Sequence, residues 1–196
     1  MFTGIIEETG SIREINRLDR TLELKIEAAH VMKEIQLGDS IAINGTCLTV
    51  TDFTDWSFSV DVMPETFQST SLSKLAELSL VNLERSMSAE GRFGGHFVTG
   101  HVDGTGRIIQ KTIDENAYLL EISVPEQLGV YLMSKGSIAI DGVSLTIFGC
   151  DAQSVRLSII PHTSESTVLG TKQIGDIVNL EIDMMAKYLY TFVHSK

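Results

Sequence analysis

The side chains that could do chemistry here are a small set of nucleophiles, bases and charges: Ser40, Cys47, His96, His101, Lys135, Ser144 and Asp183. An imidazole titrates near neutral pH, so His101, between Gly100 and Val102, is a candidate general base. Cys47 and Ser40 carry groups that can add to an electrophilic carbon, orient it, or place a water on it; a thiolate at Cys47 would need a lowered pKa. Lys135 and Asp183 can relay protons or orient a polar ligand, and Ser144 and Thr146 can hydrogen-bond one. Each residue also has a plainer reading. Cys47 within a strand is most often a small buried hydrophobe. Ser144 and Thr146 alternate as outward-facing strand residues do. Asp183 stands where a helix would be capped, and Lys135 lies in a turn. His96 and His101 are five positions apart, which suits neither one strand face nor a helical metal pair, so no metal site is expected. Gly94-Gly95 and Gly104-Thr105-Gly106 lack the strand-and-helix context of a phosphate cradle.

These residues are distributed over two copies of one pattern. Thr99-Gly100, Thr105-Gly106 and Ile108 repeat Thr3-Gly4, Thr9-Gly10 and Ile12 at a constant shift of 96 positions. At a shift of 97, Ile43-Asn44-Gly45-Thr46-Cys47-Leu48-Thr49-Val50 returns as Ile140-Asp141-Gly142-Val143-Ser144-Leu145-Thr146-Ile147, Pro64-Glu65-Thr66 as Pro161-His162-Thr163, and Val81-Asn82-Leu83-Glu84 as Val178-Asn179-Leu180-Glu181. Ordered matches needing a single one-residue insertion indicate a duplication into two domains of roughly 95 residues each. The copies differ where chemistry could differ: Cys47 answers to Ser144, Glu65 to His162, and Gly38-Asp39 to Lys135-Gly136.

Composition narrows the partners. A formal net charge of −11 disfavours nucleic acid and anionic membrane surfaces, which are held by clustered Lys and Arg. A small molecule or a protein is expected instead. Two cysteines, Cys47 and Cys150, in non-equivalent places make no disulfide framework and fit reduced thiols in a cytoplasmic protein. The first residues lack a basic, long-apolar leader, and no apolar run approaches the roughly 18 residues of a membrane span.

Alternating segments at residues 20–26 and 57–62, with short β-rich runs at 40–43, 47–51 and 80–84, predict strands. Residues 118–123, 137–140, 144–147, 154–159 and 177–182 match them in the second half. Asn44-Gly45 and Asp141-Gly142 are hairpin turns. Short helices are expected at 28–35, 73–78 and 125–133. The fold class is all-β, two tandem homologous Greek-key six-stranded antiparallel β-barrels, with domains at 1–93 and 94–182 joined through a polar, glycine-rich connection at 86–95. Residues 183–196 form a C-terminal amphipathic helix capped by Asp183, with Met185, Leu189, Phe192 and Val193 at helical spacing. Two readings of that stripe stand: it packs on its own barrel, or against copies of itself.

Met1-Phe2-Thr3-Gly4-Ile5, Asn44-Gly45-Thr46-Cys47-Leu48-Thr49-Val50, Gly94-Gly95-His96-Phe97-Val98-Thr99-Gly100-His101 and Ile140-Asp141-Gly142-Val143-Ser144-Leu145-Thr146 together resemble the riboflavin synthase family over essentially the whole chain. The resemblance implies two lumazine-binding barrels, a homotrimer held by the C-terminal helices, and an active site between the first barrel of one subunit and the second of its neighbour. It implies dismutation of two 6,7-dimethyl-8-ribityllumazine molecules with no metal or redox cofactor, and lumazine synthase as a further partner. Matched by position, substrate contacts fall in the first barrel at Gly4, Ile5, Ile6, Cys47, Leu48, Thr49, Asp61, Val62, Met63, Pro64, Glu65 and Thr66. In the second they fall at Gly100, His101, Val102, Lys135, Ser144, Leu145, Thr146, Ser158, Ile159, Ile160, Pro161, His162 and Thr163. The catalytic set is His101, Cys47, Ser40, Lys135, Ser144 and Asp183. His162 stands where the family often carries Glu, a change that a backbone contact would tolerate. Related carriers bind lumazine or flavin without turnover; the retained His96, His101, Cys47, Ser144 and Lys135 favour the enzyme. A reductase-type flavin barrel would need a nucleotide-binding domain for which the two barrels leave no room.

Overall fold

The computed structural model describes residues 1–17, 21–114 and 116–194. The first barrel comprises β1 (Glu8–Arg17), β2 (Leu22–Glu27), β3 (Ser40–Ile43), β4 (Thr46–Phe53), β5 (Ser57–Val62) and β6 (Leu80–Arg85), closed in the order β1-β2-β5-β4-β3-β6. The second comprises β7 (Gly104–Asp114), β8 (Ala117–Ser123), β9 (Ser137–Ile140), β10 (Val143–Cys150), β11 (Ser154–Ile159) and β12 (Ile177–Ile182), closed in the same cycle. All pairings are antiparallel. Period-two alternation explains the cores: Leu22, Leu24 and Ile26 point into the first barrel with Ile41, Ile43, Leu48 and Val50, while Ile138, Ile140, Leu145 and Ile147 fill the second. The hairpin dipeptides take positive φ at both positions, 46° and 75° at Asn44-Gly45 and 45° and 82° at Asp141-Gly142, the mirror-image turn that suits strand twist.

Two long strands, β1 and β7, were not signalled by alternation, because each carries a register shift, between Ile12 and Glu14 and between Ile108 and Gln110. A bulge puts the apolar period out of phase halfway along. The strand expected at 20–26 begins at Leu22 among the described residues; Arg20 lies outside them. The helix expected at 28–35 is corrected to turns: Lys33 N–H donates to His30 O and Ile35 N–H to Met32 O, three-residue closures that Glu34 ends at φ 69°. Val31 and Ile35 still plug the barrel, and the Glu8 carboxylate accepts from the Ala29 and Val31 N–H groups that a helix would have left free.

The helix expected at 73–78 is likewise corrected. Helix begins earlier, at α1 (Pro64–Ser69), where proline supplies a preset φ at a first-turn position, followed by a 3₁₀ turn Ser71–Lys74. The segment at 125–133 shortens to α2 (Glu126–Gly129), and α3 (Pro161–Ser166) with a 3₁₀ turn at Val168–Gly170 repeats the α1 arrangement. The C-terminal helix is α4 (Met184–His194), where Asp183 Oδ1 accepts from Met185 N–H at 2.9 Å as a cap. Lys187 Nζ bonds both carboxylate oxygens of Asp103 at 2.9 Å and Tyr190 packs on Tyr131, so one side of α4 rests on its own barrel. Met185, Tyr188, Leu189, Phe192 and Val193 project from the opposite side, Phe192 being 84% exposed. Among the described residues no helix is long and apolar enough to cross a membrane.

Candidate functional site

The strand register that sends Ile41, Ile43, Leu48 and Val50 inward sends Ser40, Ala42, Cys47 and Thr49 outward. Ser40 pairs with Thr49 and Ala42 with Cys47 across β3 and β4. On the second barrel Ser137 pairs with Thr146 and Ala139 with Ser144 across β9 and β10. The candidates Ser40, Cys47 and Thr49 thus share one outer face, and Ser144 and Thr146 share its equivalent, where Ser137 takes the place of Ser40. Leu48, Val62, Leu145 and Ile159 turn their side chains into the cores and offer these faces only backbone.

Each face is completed by the other repeat. Phe2 and Val98 exchange backbone hydrogen bonds of 2.7 and 3.2 Å, so the two lead-in segments cross between the barrels. Beyond the crossing, Gly4 O accepts from Ser144 N–H at 2.8 Å and Gly100 O from Cys47 N–H at 2.9 Å. The grouping by sequence position is therefore corrected. Gly4 and Ile6 lie with the second barrel, whose core Ile6 joins, Ile5 between them faces the cleft beside Ser40, and Gly100, with His101 and Val102 following it, lies with the first. Glycine is required at both crossings: φ is 77° at Gly4 and 79° at Gly100, and a Cβ there would lie 2.6 Å from Ser144 Cβ and 2.5 Å from Cys47 Cβ. His101, exposed, follows Gly100 beside Cys47, its N–H donating to Thr99 Oγ1 at 3.3 Å.

His96, which the sequence leaves without a specific role, is the imidazole this fold builds in most firmly. It is 8% exposed, its N–H donates to Thr3 O at 3.1 Å, and its Nδ1 lies 2.7 Å from Ser144 Oγ. Nε2 is buried without a partner. Burial holds the pKa below the ordinary imidazole value, with the Asp183 carboxylate pulling it partway back. The ring is neutral at working pH, with one nitrogen engaged by a hydroxyl and the other open. No spacing rule connects His96 to Ser144; its place three positions before the repeated Thr99-Gly100 was the one signal. Asp183 caps α4 and also acts electrostatically on His96, an interaction the sequence did not signal.

Lys135 occupies the position of Gly38, and both are left-handed, at φ 68° and 88°. Its N–H donates to Ile147 O at 2.6 Å as that of Gly38 does to Val50 O at 2.9 Å. A lysine held where the other repeat uses glycine is strained backbone beside a candidate site. Asp61, Met63, Pro64 and Glu65 are exposed and Thr66 half-buried where β5 runs into α1; Ser158, Ile160, Pro161 and His162 are exposed and Thr163 half-buried where β11 runs into α3. The first face thus gathers carboxylates, Asp61 and Glu65, and the second gathers Lys135, His162 and His96. A cleft of about 850 Å³ opens beside Ser40, with Thr3, Ile5, Glu84 and Arg85 in its wall. Cys47, His101 and Ser144 do not line it.

The lumazine binding domain family matches residues 3–86 and again 99–183. The chain is 54% identical over 194 residues to a riboflavin synthase of Bacillus amyloliquefaciens, covering 99% of this chain and 90% of that one. It is 52% identical over 194 residues to a riboflavin synthase of Bacillus subtilis, with the same coverage. Among solved structures, LumP complexed with 6,7-dimethyl-8-(1'-D-ribityl) lumazine superposes with a TM-score of 0.83 at 27% identity, covering 93% of this chain and 99% of LumP.

Replacing Lys135 with glycine removes the left-handed strain, and Lys135→Gly is expected to stabilise the chain by about 0.5–1 kcal/mol, read as a raised urea midpoint at unchanged m-value. An unchanged or lowered midpoint would show that the lysine is at ease there.

Proposed function

The chain belongs to the riboflavin synthase family and carries the lumazine binding domain twice, and from that premise we propose that it converts two molecules of 6,7-dimethyl-8-ribityllumazine into riboflavin and 5-amino-6-ribitylamino-uracil. A four-carbon unit passes from one molecule to the other, and the atoms of two substrates equal those of the two products, so no oxidant or reductant is consumed. The observation that carries this reading is the pair of equivalent outer faces, each built from one barrel and the crossing segment of the other repeat. A reaction that consumes two copies of one molecule needs two like surfaces holding them in attack geometry.

The residues divide the work. The 7-methyl protons of the substrate are acidic because the anion delocalises into the ring. Each face presents an imidazole: His101 beside Cys47 on the first, and His96 against Ser144 on the second, neutral and so able to accept a proton. Lys135 supplies positive charge beside the second face. Cys47 and Ser40 add to the electrophilic ring carbon, orient it or place a water on it. Thr49 and Thr146 hydrogen-bond the pyrimidine edge or the ribityl chain. The remaining predicted contacts, from Asp61 to Thr66 and from Ser158 to Thr163, frame the two faces where α1 and α3 begin.

The outward stripe of α4 supports a homotrimer in which the α4 helices pack together and one subunit's second face closes over its neighbour's first. Lumazine synthase as a partner rests on the resemblance alone. A cytoplasmic setting is supported by two free thiols, Cys47 and Cys150. A domain limit at 93/94 is supported by the interval between the two family matches, residues 87–98, and one at 182/183 by the end of β12 at Ile182. Binding without turnover is the second reading, favoured by the structural likeness to LumP; twofold higher identity to riboflavin synthases favours turnover.

Anaerobic, metal-free incubation with 6,7-dimethyl-8-ribityllumazine is expected to give riboflavin and the pyrimidine in equal amounts, whereas substrate bound but unchanged would mark a carrier. The acid limb of the rate profile is expected below pH 6.5, because His96 protonates below its ordinary value. Asp183→Asn keeps a cap but removes the anion that favours the imidazolium, so the limb moves to lower pH; an upward shift would remove His96 as the base. Phe192→Glu is expected to reduce the mass seen by light scattering from trimer to monomer, and a wild-type monomer would sink the assembly.

A further inference from the structure

The repeated Val-Asn-Leu-Glu of β6 and β12 is a duplicated motif without a part in the reaction as described. Its alternation is unusual because both sides are buried. Val81, Leu83, Val178 and Leu180 enter the barrel cores, while Asn82, Glu84, Asn179 and Glu181 are 0%, 5%, 1% and 3% exposed on the opposite side. Buried polar groups must be hydrogen-bonded, and these four find their partners across the molecule. Asn82 Nδ2 donates to Asp141 O at 2.9 Å and its Oδ1 accepts from Val168 N–H at 2.8 Å. Asn179 Nδ2 donates to Asn44 O at 2.7 Å and its Oδ1 accepts from Ser71 N–H at 2.6 Å. The asparagines dock barrel on barrel.

The glutamates do something else. Glu84 Oε1 accepts from Thr3 N–H at 2.7 Å and Thr3 Oγ1 at 3.1 Å, and Oε2 from Gly4 N–H at 3.1 Å. Glu181 Oε1 accepts from Thr99 N–H at 2.6 Å and Thr99 Oγ1 at 2.7 Å, and Oε2 from Gly100 N–H at 3.0 Å. The segment gripped in this way passes its next carbonyl to the opposite barrel, Gly4 to Ser144 and Gly100 to Cys47. Three donors converge on each side chain, and a carboxylate accepts at both oxygens; a glutamine would turn an NH₂ group toward one of the donors.

We propose that Glu84 and Glu181 are positioning residues acting crosswise: Glu84, on the first barrel, sets the edge of the substrate face on the second through Thr3-Gly4, and Glu181, on the second, sets that of the first through Thr99-Gly100. The proposal rests on the two-face reading of function. It makes a distinction that a stabilising role does not, because each substitution disturbs the face on the other barrel and spares its own.

The test uses the full chain in a Cys150→Ser background, with riboflavin as the probe. Calorimetric stoichiometry counts the sites, and shielding of Cys47 from iodoacetamide reports the first face. Wild type is expected to bind two riboflavins per chain and to shield Cys47. Glu181→Gln is expected to weaken one site about tenfold and abolish the shielding. Glu84→Gln is expected to weaken the other site and leave Cys47 shielded. Should either glutamine variant fail to fold, Thr99→Val and Thr3→Val remove one hydroxyl donor each and give a smaller loss in the same crosswise sense. Equal weakening of both sites by each variant, retention of both sites, or loss of shielding in the Glu84 variant instead of the Glu181 variant overturns the proposal. A wild type that binds no riboflavin defeats the functional reading itself, and the proposal with it.

Discussion

The structure depends on an exchange: each repeat begins with a short segment that leaves its own barrel and hydrogen-bonds to the outer strand of the other. Phe2 and Val98 meet at the crossing, both essentially buried, in a small cluster with Ala42 and Ala139. The contact is so close that the turn glycines Gly45 and Gly142 touch, a Cβ on the first meeting the backbone nitrogen of the second at 2.6 Å. Carboxyl groups are buried to secure this arrangement. Burial pushes the pKa of Glu84, Glu181 and Asp141 upward, and converging hydrogen bonds pull each partway back. Lys172, 3.4 Å from Asp141 Oδ2, assists at the junction. Neither face is finished by its own repeat, so the two barrels function as a pair and not as beads on a string.

Duplication gives two equivalent frames, and divergence within those frames gives chemistry. Cys47 and Ser144 occupy one position, Ile5 and His101 another, Gly38 and Lys135 a third, and Asp61 and Ser158 a fourth. The strands, turns and crossing hydrogen bonds are the same on both sides, so these substitutions change the electrostatics of a face without altering its shape. The second face collects Lys135, His162 and the buried His96; the first collects Asp61 and Glu65. Two identical substrate molecules entering unlike surroundings are no longer equivalent. The difference in surroundings comes from a handful of side chains on one scaffold.

Much of this was legible in the sequence. The shifts of 96 and 97 positions predicted two barrels, Asn44-Gly45 and Asp141-Gly142 predicted the hairpins, and the amphipathic stripe predicted α4 with its Asp183 cap. What escaped did so for identifiable reasons. Bulges near Ile12 and Ile108 break the alternation that would have revealed β1 and β7. The plug around Val31 has helical-looking spacing but is held by the Glu8 carboxylate, a partner distant in sequence. The crossing of Gly4 and Gly100 is a long-range pairing between repeats, and internal similarity aligns equivalents without saying which of them touch. The His96–Ser144 contact escaped for the same reason, since the two residues lie 48 positions apart.

The orientation of helix α4 on its barrel follows from one anchor on its polar side. An amphipathic stripe would ordinarily turn toward the nearest apolar surface, which is the helix's own barrel. Here Lys187 is tied to Asp103, and Asp103 Oδ2 also accepts from Ile182 N–H at 2.8 Å, so the polar side of the helix is fastened to the barrel wall. Tyr190 adds an aromatic contact with Tyr131 on that same side. With the polar side fastened inward, Met185, Leu189, Phe192 and Val193 have nowhere to turn but outward. The stripe leaves apolar area in water whose burial would contribute roughly 25 cal/mol per Å². The same anchor places Asp183 near His96, which joins the orientation of the helix to the electrostatics of the second face.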